Sequence, residues 1–403
     1  MNQVTPGTQP GRWRLGRRGS FWAAALVLAL VLWSSGAPSV LYPIYAEQWA
    51  LTPLTVTTVF ATYQLALLLV LPLIGNLSDQ IGRRRVMIWG VALIAASAVL
   101  FAIAPNVSFL FIGRALQGAG AGLAMGAATA SLLENNPRIN PRFASSMATV
   151  ATATGLTIAL ALSGLLAEVT PLPLLWSYVV LLGLSLASIT TLALTRDDRP
   201  AHASRWRPQS PSVPAGIRLP FVVATFSVSL AYCVGAIFLS LGAHMITQFA
   251  RTDNSAVVGA LLALSAAAIG VTALFLARVS PRVCVWLGGL LTLLSLGLMW
   301  AASSAGSAPL FILWCLVGGT AYSFAFTGGL GLINRVAPIH HRGSTLSLLY
   351  LVAYALQAVT AIGVGAIATS GSLGLAVMVA ALAISALCLT LLALLWATKN
   401  SAK

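Results

Sequence analysis

Charge is what this chain most lacks. Only 7% of its 403 residues are charged, and just seven of those are acidic. An ordinary soluble domain carries roughly 25% charged residues, so this chain could not cover a water-facing surface. With 59% apolar residues, the medium around most of it is lipid. Four cysteines (Cys233, Cys284, Cys315 and Cys388) lie scattered in apolar stretches with no close pairing. They behave as small hydrophobes and support neither a disulfide framework nor a metal site. Catalytic signatures are missing too: there is no HExxH, no pair of intramembrane aspartates, no serine–base arrangement and no GxxxxGK[ST] loop. Enzyme and ATP-driven readings are set aside on that basis, and no cofactor is expected.

What the chain has in abundance is apolar runs long enough to span a bilayer, which takes about 20 residues. Single runs occur at 20–46, 51–78, 143–167, 169–195, 219–250 and 254–277. Three longer runs each hold two helices: 86–133, broken near Pro105; 283–334, broken between Ser303 and Pro309; and 343–398, broken near Gly371. Twelve spans are predicted, in an all-α membrane fold. The net charge of +15 would suggest nucleic acid in a soluble protein. Here the basic residues sit in short loops and form no aromatic-interleaved patch, so nucleic acid is excluded as a partner. If the N-terminus is cytoplasmic, 20 of the 22 basic residues fall in cytoplasmic segments. Arg251 lies in an outer loop and Arg114 inside a helix. That split satisfies the positive-inside rule and predicts both termini cytoplasmic, in a bacterial inner membrane. The first span is too long for a cleaved secretory signal and is expected to stay in place.

Residues 196–218 combine five arginines with four prolines and are predicted as a cytoplasmic linker. It divides the chain into six-helix bundles at 1–195 and 219–403. The halves resemble each other at an offset near 200: Arg142 opens the fifth span as Arg342 opens the eleventh, and Gly118 corresponds to Gly318. The loop Arg85–Trp89 resembles Arg282–Trp286. Such a repeat places a substrate path at the interface of the halves.

Two motifs carry chemistry. After the second span comes Gly75-Asn-Leu77-Ser78-Asp79-Gln-Ile-Gly82-Arg83-Arg84-Arg85. Gly82 allows a tight turn, and Asp79 sets a carboxylate where the N-terminus of a neighbouring helix could meet it. In the fourth span, Arg114-Ala-Leu-Gln117-Gly118-Ala-Gly120-Ala-Gly122 buries a guanidinium beside small residues that allow close helix approach. A charge there costs about 2.5–3.5 kcal/mol, so it must face the interior and find partners. Both motifs resemble those of the major facilitator superfamily, the first matching its loop 2–3 pattern and the second its helix 4 pattern in proton-coupled exporters. The resemblance implies a twelve-helix transporter, with Gly75, Asp79, Gly82, Arg83 and Arg84 as a latch between halves and Arg114 and Gln117 at the coupling or substrate site. In an outward-open state, Asp79 is expected beside the start of the eleventh span, at Gly343–Thr345, while pairing with an arginine of its own loop. The exporters' fifth-helix pattern is only half present: Gly155, Ala159, Ser163 and Gly164 stand in it, and its proline is missing.

No acidic residue lies at mid-membrane depth. Glu47, near the outer end of the first span, is the acid expected to pair with Arg114 and exchange with a proton. Further cavity candidates are Ser34, Ser35, Tyr42, Tyr232, Trp314, Tyr322, Tyr354 and Gln357. One fixed positive charge and no negative one favour a neutral or anionic cargo. The expectation is a monomeric antiporter exporting a small drug or metabolite, driven by the proton gradient. The alternative is an uptake symporter or facilitator for an organic acid or sugar.

Overall fold

The computed structural model describes residues 15–74, 77–138, 141–195, 213–276, 278–338 and 341–400. Gly75 of the loop motif and residues 196–212 of the expected linker lie outside them. The described helices, in chain order, are α1 (Arg17–Gln48), α2 (Pro53–Ile74), α3 (Leu77–Ile81), α4 (Arg83–Ala102), α5 (Val107–Glu134), α6 (Pro141–Val169), α7 (Pro173–Ala193), α8 (Arg218–Ser240), α9 (Gly242–Ala250), α10 (Ser255–Leu276), α11 (Pro281–Ala305), α12 (Ala308–Val336), α13 (Arg342–Ser370) and α14 (Leu373–Asn400). Twelve of them are long and apolar enough to cross a membrane. The other two, α3 and α9, are short. The apolar run at 219–250, expected as one span, is divided at Leu241 into α8 and α9. A 3-10 turn at Ala215–Ile217 leads into α8, so helix begins at the last residue of the predicted linker.

The outer faces are apolar, as lipid requires: Leu69, Phe275, Val359 and Leu382 are all at least 65% exposed. Inside, the buried side chains form separate clusters. One draws on residues 21–192 together with Ala236 and Ala361, and Leu239 and Tyr354 pack against it. The two others are built from residues 217–395, apart from Val40 and Leu160. Helices α1, α2 and α4 to α7 therefore share one core, and α8 to α14 build the other two.

Glycines set the approach of helices within each half, and they correct the predicted repeat by one residue. A Cβ on Gly118 of α5 would overlap the carbonyl oxygen of Tyr63 and crowd Ala66 Cβ on α2. The residue in the same position on α12 is Gly319, not Gly318. Its Cβ would overlap the carbonyl of Ser265 and crowd Ala268 Cβ on α10. The oxygen of one residue and the Cβ three residues later meet the glycine in both halves. Gly90 against Ala124 and Gly288 against Ala325 repeat the relation. The offset for α5 and α12 is thus 201, and the helix starts, Val107 and Ala308, agree with it.

The halves meet along α2–α13 and α6–α10. Gly164 and Gly259 face each other so closely that a Cβ on Gly164 would lie 2.8 Å from Gly259 Cα. Four residues further along α6, Glu168 Oε2 accepts a hydrogen bond of 2.8 Å from the amide of Ser255, the first residue of α10. At the same end of the molecule the Leu54 amide donates to Thr369 Oγ1 at 2.9 Å, joining α2 to α13. This end is called the Glu168 end below, and the opposite one the Arg83 end.

Candidate functional site

The loop motif organises the Arg83 end. Gly82 has φ of +96°, a conformation that a residue with a Cβ rarely adopts, and it turns the chain from α3 into α4. Arg83 then lies between two carboxylates, Asp79 one turn back and Glu134 at the end of α5. Its Nη2 reaches Glu134 Oε1 at 3.1 Å, and its Nη1 also donates to Ser78 Oγ. Arg84 Nη2 donates to the Ala193 carbonyl at 2.6 Å, and Arg17 Nη2 to the Glu134 carbonyl at 3.3 Å. Each of these bonds stays within the first half. Asp79 is half exposed and pairs with its own loop, so the structure shows the intraloop pair. In the second half Leu276 stands where the acid would be, buried at the end of α10.

Arg114 is wholly buried, seven residues into α5 from the Glu168 end. Its Nε and Nη2 both donate to the Tyr42 hydroxyl, at 2.9 and 2.6 Å. Nη1 donates to the Ser35 carbonyl at 3.1 Å and to Gln117 Oε1 at 3.0 Å. The rings of Tyr42, Phe60 and Tyr63 stand within 5.7 Å of its guanidinium carbon, close enough for cation–π attraction. Local sequence makes this possible. Pro38, inside α1, removes the amide that would have bonded the carbonyl of Ser34. The next carbonyl, that of Ser35, is the one that turns to Arg114.

The expected Glu47–Arg114 ion pair is not made. Glu47 is exposed, and among the described residues the ion pairs are those of Arg83 with Asp79 and Glu134. A phenol, an amide, a carbonyl and three rings compensate the guanidinium where a carboxylate was anticipated. Tyr42, Gln117 and Ser35 were anticipated; the Ser35 carbonyl as the bonding atom, Phe60 and Tyr63 were not. No motif marks them, because a main-chain carbonyl and a ring face have no sequence signature.

The remaining candidates separate into two groups. Ser34 is buried, and its Oγ bonds back to the Val31 carbonyl within its own helix, at 2.8 Å. Trp314 is buried against Phe238 and Phe311 in the second half's apolar core. Tyr232, Tyr322 and Tyr354 do come together, and Phe326 and Tyr350 join them. Tyr232 lies 6.3 Å from Tyr322, 5.9 Å from Phe326 and 4.8 Å from Tyr354 between ring centroids. Gln357, three residues past Tyr354, is buried, and its Oε1 has no partner. All sit near the middle of α8, α12 or α13. Tyr354 packs against both the second-half tyrosine cluster and the first half's core, so the aromatic group lies on the seam between halves.

Comparison with known proteins gives this arrangement its family. The profile of the Major Facilitator Superfamily matches residues 24–361. The chain belongs to that superfamily. Two solved structures share the fold nearly end to end. A bacterial homologue of the human lysosomal transporter Spinster, in an inward-facing and occupied conformation, superposes with a TM-score of 0.74 at 12% identity, over 98% of each chain. A point mutant of the nucleoside transporter NupG superposes with a TM-score of 0.76 at 13% identity, over 94% of this chain and all of the other. Sequence relatives match over shorter stretches. The lincomycin resistance protein of Streptomyces lincolnensis is 32% identical over 30% of this chain and 24% of its own length. The inner membrane transport protein YajR of Escherichia coli (strain K12) is 30% identical over 40% of this chain and 33% of its own. The quinolone resistance protein NorA of Staphylococcus aureus is 27% identical over 24% of each. The chain thus spans a quarter to a third of the sequence relatives it matches. Membership of the Major Facilitator Superfamily places the protein among membrane transporters and not among enzymes.

Proposed function

We propose that this superfamily member exports small neutral or anionic drugs or metabolites by alternating access, coupled to the proton gradient, as a monomer in a bacterial inner membrane. The observation that carries the reading is the seam. The two halves are bonded to each other at the Glu168 end, through Glu168–Ser255 and Leu54–Thr369. The bonds described above for Arg17, Arg83 and Arg84 lie inside the first half. Two bundles with separate cores, bonded to each other at this end, suit a rocking motion about the seam. With both termini cytoplasmic, the joined end faces outward and this state opens inward. The resistance proteins among its relatives favour export and drug-like cargo. The missing fifth-helix proline favours uptake or facilitation as the second reading.

The test is flux in proteoliposomes, with and without a pH gradient, on compounds first chosen by their thermal stabilisation of the purified protein. Arg114→Lys should fold yet lower flux at least about tenfold, because an ammonium cannot reproduce the planar fork that holds Tyr42, Ser35 and Gln117 together. Wild-type flux from that variant would remove Arg114 from the transport cycle.

A further inference from the structure

Tyr232, Tyr322 and Phe326 have an unusual mutual geometry. Their centroids form a nearly equilateral triangle, with sides of 6.3, 5.9 and 6.0 Å. Their planes agree within 11–22°. Three near-parallel rings at the corners of such a triangle cannot all stack face on, which would put their centroids in a line. They make a terrace. An aromatic cage for a cation is built differently, from rings inclined steeply to one another around a point. Here only Tyr354 rises from the terrace, tilted by 54° to Tyr232, with Tyr350 behind it at 6.3 Å.

Tyr354, beside the terrace, lies toward the seam and away from lipid. At 100° per residue, Tyr354 falls 140–160° around α13 from the lipid-exposed residues Leu356 and Val359. Tyr232 is buried, while Tyr322, Phe326, Tyr350 and Tyr354 are only partly buried. Gly235 lets α8 pack close to the edge of the Tyr322 ring: a Cβ there would stand 3.2 Å from it. Gln357 adds a buried amide oxygen without a partner, one turn from Tyr354. Arg114, by contrast, is wholly enclosed and has its donors engaged, so cargo does not meet it in this state.

We infer that Tyr232, Tyr322 and Phe326 form a stacking platform that selects planar aromatic cargo, with Tyr354 as its wall and Gln357 as acceptor for a hydrogen bond from the cargo. This rests on the transport reading above and gives it a substrate class. Near-parallel rings offer a flat molecule contact over its whole face in the offset arrangement that aromatic pairs prefer. A puckered molecule of the same size touches the terrace only at points.

The experiment uses the purified full chain and three probes of one skeleton: 2-naphthamide, its fully saturated decahydro analogue, and (2-naphthylmethyl)trimethylammonium. Titration calorimetry should show 2-naphthamide binding about five- to tenfold more tightly than either of the others. Tyr322→Leu and Phe326→Leu should remove that preference, leaving the saturated probe unchanged, and Tyr322→Phe should keep it. The comparison of probes on the unaltered protein stands even where a leucine variant fails to fold. Equal binding of flat and saturated probes, preference for the cation, or no binding of any of the three overturns the platform. Proteoliposomes that move some solute from a broad panel while showing no preference for flat molecules would sink the platform and spare the transport reading. Preference for the flat probe without flux of any solute would do the reverse.

Discussion

At the same register of two equivalent helices, the first half buries a guanidinium and the second a thiol. Arg114 on α5 and Cys315 on α12 are separated by the offset that relates Gly118 to Gly319, and both are wholly enclosed. Around Arg114 stand Tyr42, the Ser35 carbonyl and Gln117; around Cys315 stands an apolar cluster. Gln117 corresponds to Gly318, and Tyr63 of α2 to Ser265 of α10. The backbone solution is shared, since the same glycine contacts close both helix pairs. The polar chemistry is not. Duplicated scaffolds allow this, because backbone approach depends on small residues at a few positions while the neighbouring side chains can diverge. In this protein the first half holds a fixed charge in a sealed pocket, and the second turns aromatic surface toward the seam.

The comparison breaks most sharply when the charge is moved across it. Cys315→Arg places a guanidinium where no phenol, amide or freed carbonyl awaits it. An uncompensated buried charge costs about 3–5 kcal/mol, enough to remove most folded protein. Cys315→Ala should be nearly neutral, isolating the charge from the change of volume. Size-exclusion yield and thermal unfolding in detergent read both. Normal folding of Cys315→Arg would mean that the second half retains a latent polar pocket, and the contrast drawn above would fall.

A smaller effect is expected at the seam. Glu168 reaches from α6 to the first amide of α10, where the exposed N–H and the helix dipole favour an anion. The bond is solvent-exposed, so Glu168→Ala should weaken closure of that end by only about 0.5–1 kcal/mol. Pairs of spin labels across the Glu168 end should show the longer-distance population rising roughly two- to fivefold. The mirror relation sharpens the picture. Asp79 is expected to meet the start of α13 when the Arg83 end closes, as Glu168 meets α10 here. Unchanged label distances in Glu168→Ala would leave the Gly164–Gly259 contact and the Leu54–Thr369 bond to hold that end.

How much of this could be read in the residues divides along a physical line. Spans follow from apolar length, which lipid enforces, so all twelve were legible, and only the break at Leu241 was not. The loop motif was legible because Gly82 and Asp79 act through backbone conformation and formal charge, both fixed by residue type. Arg114 announced itself as a buried cation, but its partners did not. Charge complementarity pointed to Glu47, whereas the fold supplied Tyr42 and a carbonyl next to a proline-broken turn. Tyrosines could be counted, yet nothing in their spacing separates a packed ring such as Trp314 from a terrace. That depends on interplanar angles, which arise only from the packing of three helices. The repeat was visible but misregistered by one residue, because adjacent glycines at 318 and 319 look alike until one of them meets Ser265.

The least effect is expected where sequence reasoning had placed the most. Glu47 lies five residues beyond Tyr42 on α1, which is about 7.5 Å further along the helix and 140° around it. Its carboxylate therefore points away from the direction in which Tyr42 reaches Arg114, and it is exposed. The donors of Arg114 that face α1 are already taken by the Tyr42 hydroxyl and the Ser35 carbonyl. Removing the charge at 47 leaves those bonds untouched. Glu47→Gln should fold normally, bind cargo as before and keep the pH-gradient dependence of its flux, with rates within about twofold of wild type, as befits an exposed surface change. Proteoliposome flux at matched and opposed pH values on the two sides measures this directly. Flux that no longer followed the gradient would show that α1 rotates during the cycle and brings Glu47 to Arg114 in the state open at the Glu168 end. The guanidinium would then exchange its phenol for a carboxylate as the bundles rock, and coupling would lie in the first half alone.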